Sequence, residues 1–164
     1  MRGVVKFHVW IVDPPPDEHW RCLLEVASGV VHSLRQLGHV VTFSPVETPR
    51  EGWQGRPILF NAHRLTGTDV VVPREAILFN AEQVPIEGAV LPDSWKKYLA
   101  LLRDAQVWDY SAANATRLAA HGCKRVTLCR IGNWPGLDRK ALQAKKTIDV
   151  LHIGSLNDRR RQVL

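Results

Sequence analysis

Residues 4–43 read VVKFHVWIVDPPPDEHWRCLLEVASGVVHSLRQLGHVVTF, and this stretch decides the fold class. Residues 4–12 are apolar enough for a strand buried on both faces, and the prolines that follow cannot continue it. Over residues 20–37, apolar side chains recur every three or four positions, which predicts an amphipathic helix. Gly38 suits the end of that helix, and residues 40–43 form the next strand. Together they predict a βαβ unit, whose two strands are parallel.

The rest of the chain continues this alternation of strands and helices. Short apolar runs that are typical of strands lie at 57–61, 76–80, 107–110 and 125–129. Helical patterns lie at 93–105 and 112–120. We therefore predict an α/β fold, a Rossmann-like parallel sheet with helices on both faces.

Length and composition restrict the class of protein. The chain has 164 residues, of which 45% are hydrophobic and 23% charged, as in a globular domain. No apolar run approaches the roughly 20 residues of a membrane-spanning helix. Lys6, His8 and Asp13 interrupt the first apolar stretch, which is therefore unlike a signal peptide. These patterns predict a cytoplasmic protein without a membrane span.

The three cysteines do not follow a metal-binding pattern. Cys22, Cys123 and Cys129 are far apart and form no CxxC pair, whereas a zinc site requires clustered ligands. We interpret them as buried thiols, and we expect neither a metal site nor a disulfide scaffold.

Positive charge is concentrated near the end of the chain. Residues 1–123 contain 12 Lys and Arg against 13 Asp and Glu, whereas residues 124–164 contain 10 against 3. A basic segment of this kind suits an anionic partner, and the alternative is a solvated basic tail. No nucleic-acid partner is expected, because the segment lacks interleaved aromatic residues and a known module signature.

A second structural unit is predicted to begin near residue 148. Residues 148–153 form an apolar strand pattern, and Gly154 and Ser155 follow at a turn. The N–H groups of a helix that follows such a turn favour an anion, and the arginines at 159–161 add donors for phosphate oxygens. By itself this is a weak signal, since surface arginine runs are common.

Residues 149–161, DVLHIGSLNDRRR, resemble the "DVLFYGSLNxRR" stretch of bacterial glycosyltransferases with the two-domain GT-B fold. Three further stretches are similar to the same family, at 37–41, 76–83 and 107–111, and they occur in the family's order. The resemblance covers nearly the whole chain, although none of these stretches is a strict catalytic signature.

The resemblance implies a domain plan and a donor site. Residues 1–135 would be the N-terminal, acceptor-side domain of a GT-B fold, 136–147 a linker, and 148–164 the start of a truncated C-terminal domain. That second domain would bind the nucleotide-sugar donor, which is a substrate, and no further cofactor is implied. The implied donor-side contacts are Gly154, Ser155, Asn157 and Arg160. Without most of that domain, the chain alone should not transfer sugar.

Candidates for the catalytic base and for acceptor binding follow the predicted strands, since open α/β sheets bind ligands at the carboxyl ends of their strands. The candidate bases are His19 and Glu82, because an acceptor hydroxyl needs a group that takes its proton. The candidate acceptor-binding residues are Asp13, Asn61, His63, Asn80 and Asp109.

Five of these seven candidates also have a purely structural interpretation. His19 would lie in a first helical turn, and Glu82 would fix a loop by bonding backbone. The two asparagines would cap turns, and Asp109 would anchor Ser111 and the start of a helix. Trp95 belongs to a helical apolar pattern and is interpreted as packing rather than as a platform for a sugar.

A second hypothesis belongs to a different class of function. The chain would be a self-contained flavodoxin-like domain that binds a partner without catalysis, and its last residues would pack back on the domain. An unfilled sheet edge also leaves room for pairing with a second copy, which would give a homodimer.

Overall fold

Within the residues that the structure describes, six strands form one sheet in which every neighbouring pair is parallel. The computed structural model describes residues 3–12, 19–45 and 53–137. The strands are β1 (Lys6–Ile11), β2 (Val40–Ser44), β3 (Arg56–Phe60), β4 (Ile77–Asn80), β5 (Gln106–Asp109) and β6 (Val126–Leu128). They lie in the order β2-β1-β3-β4-β5-β6. The predicted α/β fold with a parallel sheet is confirmed.

Helices cover both faces of this sheet, as predicted. In the described ranges the α-helices are α1 (Leu24–Gln36), α2 (Asp93–Asp104) and α3 (Ala112–Ala120). Val9 and Trp10 are neighbours on β1 and point to opposite faces, and each belongs to a different apolar cluster. The Val9 cluster includes the buried apolar side chains of α1, and the Trp10 cluster includes those of α2 and α3.

The first helix begins later than the helical repeat predicts, and it ends where predicted. The pattern from Trp20 starts with a 3₁₀ turn, His19–Leu23, before α1. Leu23 offers no side-chain oxygen to the free N–H groups of α1, and tighter 3₁₀ bonds are one way to satisfy such groups. At the other end, Gly38 has a φ of +82°, and its N–H donates to the carbonyl of Arg35. The predicted glycine after the helix is confirmed.

The strand order places a topological switch point between β1 and β3. From β1 the chain moves to β2 on one side, and it then returns to β3 on the other side. Open α/β sheets bind ligands beside such a point, outside the carboxyl ends of the strands. In the described ranges, the loops that follow β3, β4 and β5 meet at this edge.

The segment after β6 returns to α1. A Cβ atom at Gly29 would lie 2.9 Å from Trp134 Cδ1, so the indole packs directly on the helix backbone. The rings of His32 and Trp134 are 5.7 Å apart. Beyond Leu137, the rest of the predicted linker, 136–147, and the predicted second unit, 148–164, lie outside the described residues.

The cysteines differ from one another in burial. Cys123 is buried and Cys129 is half-buried, whereas Cys22 is exposed, so the prediction of a buried thiol was wrong for Cys22. Cys22 lies in the 3₁₀ turn before α1, next to Leu23, which packs into the core. No disulfide joins these three residues.

Candidate functional site

The side-chain amide of Asn80, the last residue of β4, is enclosed by polar partners. Its Nδ2 donates to Asp109 Oδ2 at 2.6 Å and to the Glu82 carbonyl at 2.9 Å. Its Oδ1 accepts from Tyr98 Oη at 3.1 Å and from the Glu82 N–H at 3.3 Å. These four contacts use the full hydrogen-bonding capacity of a carboxamide. Asn80 therefore holds the turn after β4, as its structural interpretation predicted.

Asp109 ends β5 and is completely buried. One carboxylate oxygen accepts from Asn80, and the other accepts from the Ser111 N–H at 2.7 Å. The Ser111 hydroxyl in turn accepts from the Asn114 N–H, so it caps α3. The structural interpretation of Asp109, that it anchors Ser111 and the start of a helix, is confirmed. Acceptor binding by Asp109 or Asn80 stays a prediction.

Helix α3 fixes the backbone of the loop that carries Glu82. Asn114 Nδ2 donates to the Glu82 carbonyl at 2.9 Å, and Asn114 Oδ1 accepts from the Val84 N–H at 3.2 Å. Arg117 donates to the Val84 carbonyl at 2.9 Å. Asn114 and Arg117 could not be recognised from the sequence, because their partners are backbone atoms 30 or more positions away.

The side chains of Glu82 and His63 meet at the surface of this network. His63 lies in the 3₁₀ turn Ala62–Leu65 after β3, and its Nδ1 is 3.7 Å from Glu82 Oε1. The two side chains are 33% and 45% exposed, so both are accessible to a ligand. An exposed pair of this kind contributes little to stability. The structure therefore brings together two of the residues that the sequence proposed separately, one as a base and one as an acceptor contact.

A small pocket surrounds this pair. It has a volume of about 90 Å³ and is lined by His63, Thr66, Glu82, Ser94, Trp95 and Tyr98. The lining combines a carboxylate, an imidazole, two aliphatic hydroxyls and two aromatic rings. Its volume is below the ~300–1,000 Å³ of pockets for drug-sized ligands, so it suits one polar end of a larger molecule.

Trp95, which the helical pattern predicts to pack in the core, also lines the pocket. Trp95 packs against the apolar cluster of α2 and α3 and is only partly buried. Its ring lies 5.6 Å from that of Tyr98 and borders the pocket. The sequence did contain a signal for this position, because Trp95 lies in the first turn of α2. A helix that follows a parallel strand begins at the carboxyl edge of the sheet.

Tyr98 is buried beneath the pocket. Burial raises the pKa of its phenol well above the usual range, and the nearby carboxylates of Glu82 and Asp109 raise it further. The neutral hydroxyl is the form that donates to Asn80 Oδ1. The phenol therefore stays protonated in the folded protein at pH values where an unfolded tyrosine ionises.

Tyr98→Phe is expected to change how stability depends on alkaline pH. At pH 7 the variant should lose about 1 kcal/mol, since it lacks one hydrogen bond. Above the ordinary tyrosine pKa of about 10, the unfolded wild-type chain releases a proton that the folded chain retains. The wild type then loses about 1.4 kcal/mol per pH unit from this group, so the difference should close near pH 11. Urea unfolding of both proteins from pH 7 to 11 measures it, and a constant difference would contradict the buried phenol.

The remaining candidate residues lie away from this pocket or outside the described residues. Asn61 follows β3, has a φ of +57° and begins the 3₁₀ turn that carries His63. Its side chain is buried and does not line the pocket. The backbone of His19 lies in the 3₁₀ turn before α1. Asp13, Gly154, Ser155, Asn157 and Arg160 lie outside the described residues, so their predicted roles stay predictions.

A second pocket lies on the opposite face of the sheet. It has a volume of about 260 Å³ and is formed by α1, Phe79 and residues 129–134, including Trp134. It contains none of the residues that the sequence proposed for chemistry. Glu25 and Arg130 supply its charged side chains. The pocket around Glu82 and His63 is therefore the stronger candidate site.

Comparison with protein-family models, with curated proteins and with solved structures found no match. In the described ranges, no three His, Cys, Asp or Glu residues are grouped so that they could hold a metal ion. No helix in those ranges is long and apolar enough to cross a bilayer. The site must therefore be interpreted from its own geometry, because a Rossmann-like fold alone does not specify an activity.

Proposed function

We propose that this chain contains the acceptor-side domain of a glycosyltransferase that moves a sugar from a nucleotide-activated donor to a hydroxyl group of an acceptor. The observation that supports it most is the Glu82–His63 pair in a pocket with two hydroxyls and an indole ring. Carboxylates and hydroxyls match the donors and acceptors of a polyol, and an aromatic face matches its C–H groups. The position at the carboxyl edge of a parallel sheet also agrees with the proposal.

Glu82 is the base in the proposed reaction. The acceptor hydroxyl oxygen forms a bond to the anomeric carbon of the donor sugar, while the bond from that carbon to the diphosphate oxygen breaks. The electron pair of the broken bond leaves with the diphosphate, and the hydroxyl proton passes to the Glu82 carboxylate. His63 borders the same pocket and orients the carboxylate or the acceptor. A base must lie within hydrogen-bond reach of the hydroxyl, and the exposed side chain of Glu82 permits this.

Asn80 and Asp109 are positioning residues in this proposal. Their polar atoms bond to the turn after β4 and to the start of α3, and Asn114 holds the same turn from α3. A base whose backbone is fixed in this way loses little entropy when the acceptor binds. The donor diphosphate would be held by the residues that the family resemblance implies, Gly154, Ser155, Asn157 and Arg160.

The strand order supports the alternative function. The first five strands of the sheet lie in the order 2-1-3-4-5, which is the order in flavodoxin-like domains. Such domains bind ligands between β1 and β3. The alternative is therefore a domain that binds a partner at this edge without catalysis.

Glu82→Gln is expected to weaken glycoside binding about tenfold, because a hydrogen bond to a charged group contributes ~1.5–3 kcal/mol. The probes are the methyl glycosides of glucose, galactose and mannose, titrated into the chain with ¹⁵N-labelled tryptophan. The chain has six tryptophans, and the signal absent from Trp95→Phe identifies Trp95. We expect that signal to shift saturably with at least one glycoside.

Glu87→Gln is the matched control, because Glu87 is exposed on the same loop and does not line the pocket. It should leave the affinity unchanged. The proposal is wrong if no glycoside shifts the Trp95 signal, or if both variants weaken binding equally. A saturable shift of other tryptophans alone would favour the binding-domain alternative.

A further inference from the structure

The small pocket around Glu82 and His63 offers a ligand more hydrogen-bond acceptors than donors. The Glu82 side chain is 45% exposed, and a carboxylate only accepts. The hydroxyl of Thr66 donates its hydrogen to the His63 carbonyl at 2.7 Å, so its oxygen can only accept from a ligand. The Tyr98 hydroxyl is committed in the same way, since it donates to Asn80 Oδ1 at 3.1 Å. Three of the lining groups therefore offer acceptors and no donor.

The charged groups around the pocket favour a cation. Of the six lining residues, Glu82 is the acidic one, none is Lys or Arg, and His63 is cationic only when protonated. Burial raises the pKa of the Tyr98 phenol, and the carboxylates of Glu82 and Asp109 raise it further. Carboxylates that oppose a phenolate attract a positive ligand in the same place. The N-terminus of α2 also borders the pocket, but its charge of roughly +0.5 is smaller than that of one carboxylate.

Aromatic rings complete the lining of the pocket. The rings of Trp95 and Tyr98 lie 5.6 Å apart, and the His63 ring lies 5.8 Å from that of Tyr98. The face of an aromatic ring attracts a cation within about 6 Å, and an indole does so most strongly. An ammonium group is compact, as a volume of about 90 Å³ requires, and it has three donors and no acceptor. It therefore matches the carboxylate, the acceptor oxygens and the rings together.

We propose that the acceptor carries an ammonium group beside its reactive hydroxyl, and that this ammonium binds in the pocket against Glu82 and Trp95. The inference rests on the proposed function and adds the substrate class, which is an amino sugar or another amino alcohol. One oxygen of the Glu82 carboxylate accepts from the ammonium, and the other takes the proton of the neighbouring hydroxyl. The nitrogen and oxygen of an amino alcohol are close enough to reach both oxygens of one carboxylate.

Glycerol and 2-amino-1,3-propanediol test the ammonium directly, because they differ only in the exchange of one hydroxyl for an ammonium of similar size. Each would be titrated into the chain at pH 7, where an aliphatic amine is charged, while the Trp95 indole signal is monitored. The amino compound should bind at least about tenfold more tightly, since charge-assisted hydrogen bonds are roughly twice as strong as neutral ones.

Glu82→Gln should remove this preference, because glutamine keeps the length of the side chain and loses its charge. Both compounds should then bind with similar affinity. Glu87→Gln is again the matched control, since Glu87 is exposed on the same loop and does not line the pocket. This variant should keep the tenfold difference of the wild type.

Thr66→Val tests the acceptor oxygen of the hydroxyl. It should weaken binding of the amino compound at least about threefold, because one hydrogen bond to a charged group is lost, and Thr66→Ser should restore the affinity. Thr68→Val is the control, because Thr68 Oγ1 makes the same kind of bond to the Leu65 carbonyl at 2.9 Å and does not line the pocket. Equal effects of the two valine variants would contradict the direct contact.

The outcomes separate this inference from the proposed function. If a methyl glycoside shifts the Trp95 signal and the amino compound binds no more tightly than glycerol, the inference is wrong and the proposed function stands. If Glu82→Gln keeps the preference, the ammonium binds elsewhere and the inference is wrong. If the amino compound shifts the signal and no glycoside does, the ammonium site is supported and the proposed function is overturned. If no compound shifts the signal, both are overturned.

Discussion

Asn80→Asp is expected to lower the free energy of unfolding by about 3–5 kcal/mol at pH 7, the cost of a buried charge without compensation. The new carboxylate would replace the amide that lies 2.6 Å from Asp109 Oδ2, and both residues are fully buried. The variant also loses the hydrogen bond from Asn80 Nδ2 to the Glu82 carbonyl. Urea unfolding followed by circular dichroism measures the change.

Asn133→Asp is the matched control for this substitution. Asn133 is exposed, so the same chemical change should alter stability by no more than about 0.5 kcal/mol. A loss below about 1 kcal/mol in Asn80→Asp would show that the amide does not face a buried carboxylate.

Exchanging the side chains of Asn80 and Asp109 gives a sharper test of the hydrogen bond between them. In Asp109→Asn alone, the new amide nitrogen must face either Asn80 Nδ2 or the Ser111 N–H, so two donors meet. In the double variant Asn80→Asp with Asp109→Asn, the amide at 109 donates to the carboxylate at 80, and its oxygen accepts from Ser111. The double variant should therefore be more stable than Asn80→Asp, a positive coupling in the mutant cycle.

Phe60→Ala is expected to lower the free energy of unfolding by about 3–5 kcal/mol, because it leaves a cavity in the core. Phe60 is fully buried, and its ring stacks on that of Phe79 with the centroids 4.4 Å apart. The two rings immediately precede Asn61 and Asn80, the residues from which the two site loops start. The variant should therefore also bind glycosides more weakly.

Phe43→Ala is the control for the cavity. Phe43 lies on the edge strand β2 and is only partly buried, so its removal should cost less than about 2 kcal/mol. Chemical denaturation of the two variants under identical conditions compares them. Equal losses would contradict the stacked aromatic pair as the centre of this core.

Much of the fold could be predicted because its signals are local. The apolar period of α2 and α3, the cap at Ser111 and the glycine after α1 are set by residues within a few positions of one another. The strands are recognisable in the sequence as short apolar runs, because a parallel sheet is buried on both faces. The 3₁₀ turn before α1 departs from the simple periodic pattern, and the exposed Cys22 lies in that turn.

The candidate site was predicted only in part. The rule that ligands bind beyond the carboxyl ends of strands selected His63 and Glu82 correctly as neighbours of one edge. The rule could not show that Asn80 and Asp109 bond to each other across 29 positions, or that Asn114 reaches the Glu82 carbonyl across 32. The helical apolar pattern assigned Trp95 to packing, because a period of three to four residues does not distinguish a packed ring from one at the rim of a pocket.

The sequence by itself determined the α/β class, the parallel sheet and the carboxyl edge at which chemistry is to be sought. Those properties follow from the spacing of apolar residues and from the requirement that parallel strands be joined by crossovers. The tertiary structure alone decided which polar groups are used up within the protein and which remain at the surface. Which hydrogen bonds form depends on partners that are distant in the chain. In the folded protein, Asn80 and Asp109 support the loop, whereas the side chains of Glu82 and His63 face the pocket.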